Sequence, residues 1–166
     1  MKQFSNILKD ETLRRIDIAL SKRFKKKCWG VSTFLWDPQL NSTAYSVVAV
    51  SPIYGTLKSL IIKDLSGVLP SYESIKLVFH IWFPGSAIKE HDDYKYAFTG
   101  TIYLNKNWDA DYGGLLTWKK KNDKEFTSIL PIFNTFVLNE EKIPHMVTPI
   151  ILNAEFYRVT IQVFAR

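Results

Sequence analysis

Three histidines, His80, His91 and His145, make up the chain's entire supply of imidazole. One of them stands in the stretch KEHDDYKYAFTGTIYLN, residues 89 to 105, where two aspartates follow it directly and a strand-like run comes next. On an extended backbone, residues two apart point to the same side, so His91 and Asp93 converge while Asp92 faces away. An imidazole beside a carboxylate supplies two ligands of a facial triad, the arrangement that holds non-haem Fe(II) and leaves coordination positions open. The third ligand is expected to be another histidine. His145 opens the late run PHMVTPI and suits the role, because the third member should come from a different strand of the same barrel mouth. His80 lies mid-strand in KLVFHIWF and alternates with Trp82, which reads as a satisfied or half-exposed histidine rather than a ligand. Glu90 and Asp92 read as solvated neighbours, with Asp92 competing for the metal only if the strand register slips by one residue.

The elements around these residues follow from periodicity. Ile7, Leu8, Leu13, Ile16, Ile18, Leu20 and Phe24 form roughly a helical stripe over residues 7 to 24, closed by the basic cluster Lys22 to Lys27, which complements the helix dipole. A second helix is expected over residues 54 to 68, where Leu57, Leu60, Ile61, Leu65 and Val68 recur at threes and fours before Gly67 and Pro70 stop it. After Pro70 the pattern becomes short β-rich runs: SIKLVFHIWF, AFTGTIYLN, GLLTW, EFTSIL, FNTFVLN, HMVTPII and FYRVTIQVF, with WGVSTFLW as an earlier one. Turn signals at Pro84-Gly85 and Gly113-Gly114 separate them. Such a series indicates a sandwich or jelly roll of two antiparallel sheets, with the N-terminal helices covering the outer face of one. NWDADYGG resembles a calcium loop only superficially, since no glutamate closes it at the required spacing, and it reads as a tight turn.

Composition narrows the class. A chain of 166 residues, 46% hydrophobic and 14% aromatic, can bury a core of its own. The expectation is one domain over residues 1–166, with 1–70 as a helical support carrying a strand and 71–166 as the jelly-roll core. No run reaches the roughly 18 to 20 apolar residues of a membrane span, and MKQFSNILKDETLRR has no signal-peptide character, so a soluble, cytoplasmic protein is expected. The single cysteine, Cys28, precludes an internal disulfide and reads as a buried, inert thiol beside Trp29 and Val31. The net charge of +6 is concentrated in Lys22 to Lys27 and Lys119 to Lys121, which read as a solvated helix end and a solvated loop rather than a nucleic-acid site.

The segments after the HxD tripeptide carry more weight than the tripeptide itself. TIYLNKNWDADYGGLLTW (101–118), FNTFVLNEEKIPHMVTPI (133–150) and YRVTIQVF (157–164) follow it in an order that resembles the Fe(II)/2-oxoglutarate-dependent dioxygenases, in their prolyl 4-hydroxylase-like branch. The resemblance covers about residues 76 to 166 and implies a mainly β double-stranded β-helix. It implies His91, Asp93 and His145 as iron ligands. Arg158 would bind the distal carboxylate of 2-oxoglutarate, with Thr160 on the same strand face and Tyr103 on the neighbouring strand as hydroxyl donors. The cofactor set is Fe(II), 2-oxoglutarate as co-substrate, O2, and ascorbate as an accessory reductant. Phe79, Trp82, Phe83, Tyr94, Tyr96 and Phe164 are candidates for a dry aromatic wall.

Three departures from the family pattern stand out. Phe83 in FPG replaces a frequent tyrosine, Gln162 stands where a small hydroxylated residue is expected, and the spacing from His145 to Arg158 is long, which predicts a bulge or loop near Asn153 and Ala154. The activity implied is hydroxylation of an aliphatic C–H bond, with a peptidyl proline favoured as substrate. The alternatives are a free amino acid or small metabolite, and a catalytically silent jelly-roll binding module, against which the intact His91, Asp93, His145 and Arg158 argue. Partners are therefore a peptide, protein or small molecule, with no membrane and no nucleic acid expected. Retention of Asp93 argues against a halogenase.

Overall fold

Helix α1 (Asp10–Lys26) begins with the acidic pair Asp10 and Glu11 and ends with Arg23, Lys25 and Lys26, each set on the favourable end of the dipole. Lys27 takes the left-handed conformation at φ 51°, and the N–H groups of Lys27 and Cys28 cap the carbonyls of Phe24 and Arg23. The computed structural model describes residues 1–32, 47–119 and 123–166. Cys28 follows directly on this cap and is exposed, correcting the expectation of a buried thiol. Trp29 instead turns inward, its ring 5.2 Å from that of Phe24.

Helix α2 (Gly55–Leu65) buries Ile61 and Leu65. Eleven strands complete the described residues: β1 (Lys2–Ser5), β2 (Gly30–Ser32), β3 (Val48–Ile53), β4 (Ile75–Trp82), β5 (Ile88–His91), β6 (Phe98–Tyr103), β7 (Leu116–Trp118), β8 (Thr127–Ile129), β9 (Thr135–Asn139), β10 (His145–Val147) and β11 (Arg158–Ala165). They form two antiparallel sheets, one of seven strands in the order β1-β9-β6-β11-β4-β3-β2 and one of four in the order β5-β10-β7-β8. This is the expected jelly roll with helices on one sheet. No helix of the described residues is long and apolar enough to cross a membrane.

Strand alternation divides the large sheet into two environments. Leu77 and Phe79 of β4, Ile102 of β6, Leu138 of β9 and Ile161 and Val163 of β11 pack on one face with Ile16, Ile61 and Leu65 of the helices. The opposite face carries Trp82, Tyr103 and Val137 toward Leu116, Trp118 and Val147 of the small sheet. A single core cut in two by the sheet is the result, and the inner half holds the polar residues discussed below.

The first 70 residues contribute three strands to the large sheet rather than one, so they extend the jelly roll as well as supporting it. Strand β1 is fastened by Asn134, which sits at φ 55° with its side chain accepting from Leu8 N (2.8 Å) and donating to Leu8 O (2.9 Å). The WGVSTFLW run yields β2, and its residues 33–36 lie outside the described residues, as do residues 120 and 121 of the second basic cluster.

Candidate metal and carboxylate site

Strand β5 ends at His91, so the alternation that pairs His91 with Asp93 does not extend to the aspartate, which lies in the following turn. The two converge nonetheless. Thr99 on β6 donates its hydroxyl to Asp93 Oδ2 at 2.7 Å and fixes the carboxylate against the sheet. Strand β10 runs antiparallel to β5 with His145 directly opposite His91, and their rings lie 4.4 Å apart. One ligand atom from each of His91, Asp93 and His145 lies within 4.8 Å of the others. Asp92 is exposed and accepts a bond from Tyr94 N.

Backbone carbonyls select the imidazole tautomers. His145 Nδ1 lies 3.0 Å from Ile143 O, and His91 Nδ1 lies 2.9 Å from Lys89 O, so in a neutral ring Nδ1 carries the proton and Nε2 is the ligating nitrogen. His145 Nε2 faces Asp93 Oδ2 across 3.6 Å. Burial, and after it the neighbouring His91, holds His145 below the ordinary imidazole pKa, which favours the neutral, ligating form. Asn139 shapes the loop before His145 by donating to Ile143 O and accepting from Ile143 N.

The same chamber is lined by Trp82, Ile88, Leu116, Val147, Gln162 and Phe164, and by Arg158. Arg158 is 1% exposed, and its guanidinium lies 5.0 Å from the Trp82 ring and 5.2 Å from the Tyr103 ring. Its Nε and Nη1 have no hydrogen-bond partner among the described residues, nor does the buried Tyr103 hydroxyl. Burial pulls the Arg158 pKa below its usual range, with Tyr103 opposing the shift, and raises that of Tyr103. A buried cation with unanswered donors is costly unless an anion joins it. Thr160 pairs with Tyr103 across β6 and accepts from Trp82 Nε1 (3.4 Å) and Gln162 Nε2 (3.1 Å). Its own hydroxyl proton is left to donate.

The glycine pair explains how Arg158 fits. Gly113 and Gly114 adopt φ of +70° and +65°, and a Cβ on Gly114 would stand 3.0 Å from Arg158 Cδ. The turn reading of NWDADYGG therefore holds, with Asp109 accepting from Asp111 N, and the turn also gives the arginine its berth.

All six residues expected from sequence are brought to this inner face. Several supporting residues were not anticipated: Thr99, Asn139 and Gly114. Thr99 was within reach, because alternation in TGTIY puts Thr99, Thr101 and Tyr103 on one face. Of the proposed aromatic wall, Trp82 and Phe164 line the chamber, whereas Phe79 faces the helices and Tyr94 is 75% exposed. Phe83 packs on Tyr157 at 4.9 Å, and the long spacing before Arg158 is taken up by a turn that includes Ala154 N bonding to Ile151 O. His80 departs from expectation: it is fully buried, neither ring nitrogen has a partner among the described residues, and desolvation depresses its pKa to about 3.

Comparison with known proteins matches residues 67–166 to the model of the 2OG-Fe(II) oxygenase superfamily. No curated protein matches significantly. Among solved structures, a Pseudomonas putida prolyl-4-hydroxylase superposes with a TM-score of 0.74 at 17% identity, covering 99% of this chain and 91% of that one. A Trichoplax adhaerens prolyl hydroxylase, in complex with a hypoxia inducible factor peptide fragment, gives 0.73 at 18% identity, covering 99% and 82%. A viral collagen prolyl hydroxylase from Paramecium bursaria Chlorella virus-1, in a 2OG complex, gives 0.65 at 14% identity, covering 99% and 96%.

Proposed function

We propose, from the premise that the chain belongs to the 2OG-Fe(II) oxygenase superfamily, that this dioxygenase hydroxylates an aliphatic C–H bond of a peptidyl proline, with His91, Asp93 and His145 holding Fe(II). The donor set fits the metal: two imidazoles of fixed tautomer and one carboxylate, converging from two strands and a turn. When bound, Fe(II) with 2-oxoglutarate and O2 supplies the oxidation, in which the keto acid loses CO2 and takes one oxygen atom to become succinate while the other enters the substrate C–H bond.

The chain's own residues bind and shield. Arg158 takes the distal carboxylate of 2-oxoglutarate, for which its planar donor fork is matched, and the carboxylate answers the donors left open at Nε and Nη1. Tyr103 and Thr160 donate their hydroxyl protons to the same group. Thr99 holds Asp93 so that one oxygen faces the metal position. Trp82, Ile88, Leu116 and Val147 exclude water from the chamber.

The observation that carries this reading is the buried Arg158 lining the chamber that also holds the triad, with Nε and Nη1 lacking a hydrogen-bond partner among the described residues. The test is formation of succinate from 2-oxoglutarate with Fe(II) and ascorbate, screened against proline-rich peptides, free amino acids and methylated oligonucleotides. Peptide-dependent succinate supports the proposal. Turnover stimulated only by free amino acids would replace the substrate, and no iron-dependent turnover with any of them would overturn the activity.

A further inference from the structure

The inner face of β11 ends at Phe164, which lines the chamber of the triad on one side and a second, open groove on the other. This groove has a volume of about 460 Å³ and is lined by Ser74, Ile75, Lys76 and Leu77 together with Tyr54, Lys58, Tyr96 and Arg166. Its size lies within the range of ligand pockets, roughly 300–1,000 Å³. Strand β3 pairs with β4 only as far as Ile53 opposite Leu77 and then turns into α2, which brings Tyr54 and Lys58 to the groove, while Lys76 lies opposite Phe164 of β11 and Ile75 is buried.

The lining is of one sign. Lys58, Lys76 and Arg166 contribute three cationic side chains, and no Asp or Glu side chain among the described residues joins them. Arg166 lies 5.7 Å from the Tyr96 ring, and Tyr96 in turn lies 4.9 Å from Phe164. The main-chain oxygen of Arg166 is already engaged by the N–H groups of Glu73 and Ser74.

Building on the proposed peptide substrate, we infer that this groove binds an acidic segment of the substrate. The three cations select carboxylates on the segment, and Phe164 marks where the chain passes from groove to chamber. Cations and aromatics alone would also suit a single-stranded nucleic acid, but the Phe164 shared with the chamber favours a segment of the substrate that enters it.

The test uses fluorescein-labelled peptides of one length carrying a single proline flanked by Glu, Gln or Lys, together with a single-stranded oligodeoxynucleotide, read by fluorescence anisotropy on the intact protein. The Glu peptide should bind about tenfold more tightly than the Gln peptide, the advantage shrinking with added salt as exposed ion pairs are screened. In Lys76→Glu combined with Arg166→Glu, the Lys peptide should overtake the Glu peptide, a gain that misfolding cannot produce. Equal binding of the Glu and Gln peptides, an unchanged ranking in the variant, or preference for the oligonucleotide would overturn the inference. Binding is scored without turnover, so the two readings fail separately. Charge-selective binding with no succinate would leave the groove and remove the activity, whereas turnover of all three peptides alike would do the reverse.

Discussion

Replacement of Arg158 by methionine separates a residue kept for binding from one kept for stability. A guanidinium that is 1% exposed, with Nε and Nη1 unanswered, carries a desolvation cost of several kcal/mol. Its contacts with Trp82 and Tyr103, at 5.0 and 5.2 Å, return on the order of 0.5–2 kcal/mol each. The balance leaves the free protein strained by about 1–3 kcal/mol, which Arg158→Met relieves by keeping the side chain's length without its charge. For a domain of this size, each kcal/mol moves Tm by roughly 2–4 °C, so the variant free of ligand should melt several degrees higher. Its stabilisation by 2-oxoglutarate should fall below about 1 kcal/mol. The parent protein, with Mn(II) standing in for Fe(II) and co-substrate at about 100 times Kd, gains about 2.7 kcal/mol, while loss of the paired charge weakens binding by roughly 2–5 kcal/mol. Thermal melts with and without 2-oxoglutarate, backed by calorimetric titration, read both quantities. A lower Tm in the ligand-free variant, or an undiminished shift with 2-oxoglutarate, would refute the reasoning.

Three further outcomes follow from the same geometry. Thr99→Val removes the hydroxyl that holds Asp93, and metal affinity measured by titration should fall about 10–100-fold with the fold intact in circular dichroism. Gly114→Ala puts a Cβ 3.0 Å from Arg158 Cδ at a φ of +65°, and should raise the KM for 2-oxoglutarate while lowering stability by about 1 kcal/mol or more. His80 stays neutral in the folded chain down to about pH 3, while in the unfolded chain it takes up a proton below its ordinary value of 6.5. The unfolded state therefore binds more protons between those limits, and stability falls as pH drops through that window by up to about 1.4 kcal/mol per pH unit. Urea unfolding at a series of pH values should show this slope in the parent and a shallower one in His80→Leu, and identical slopes would exclude His80 as the source.

Much of this site could be read from residue types and order. The runs after Pro70 alternate strongly enough that each became a strand, and the HxD tripeptide, the distal histidine and the arginine of the last strand fall together because the jelly roll brings those strand ends to one mouth. What escaped reading did so for physical reasons. Strand β1 is four mostly polar residues whose partner is β9, far along the chain, so no local period marks it. Strand β3 ends in a Ser-Pro-Ile segment that reads as a breaker, yet β2 pairs with β3 only as far as Val50, so Pro52 lacks a strand neighbour on that side among the described residues and its missing N–H is tolerable. His91 and Asp93 converge although β5 stops at His91, because Thr99 on β6, not the strand period, holds Asp93. Burial of His80 depends on the two strands that flank β4, β3 and β11, and exposure of Cys28 on a helix cap, neither of which is visible in neighbouring residue types.

The central claim is that the triad and Arg158 together run a coupled oxidation of a prolyl residue. Incubating the protein with Fe(II), 2-oxoglutarate, ascorbate, isotopically labelled O2 and a proline-containing peptide with Glu flanks tests it most directly. The account predicts one labelled oxygen on the proline for each labelled succinate, with both products lost in His145→Ala. Succinate and hydroxyproline absent from the parent protein, or undiminished in His145→Ala, would contradict it.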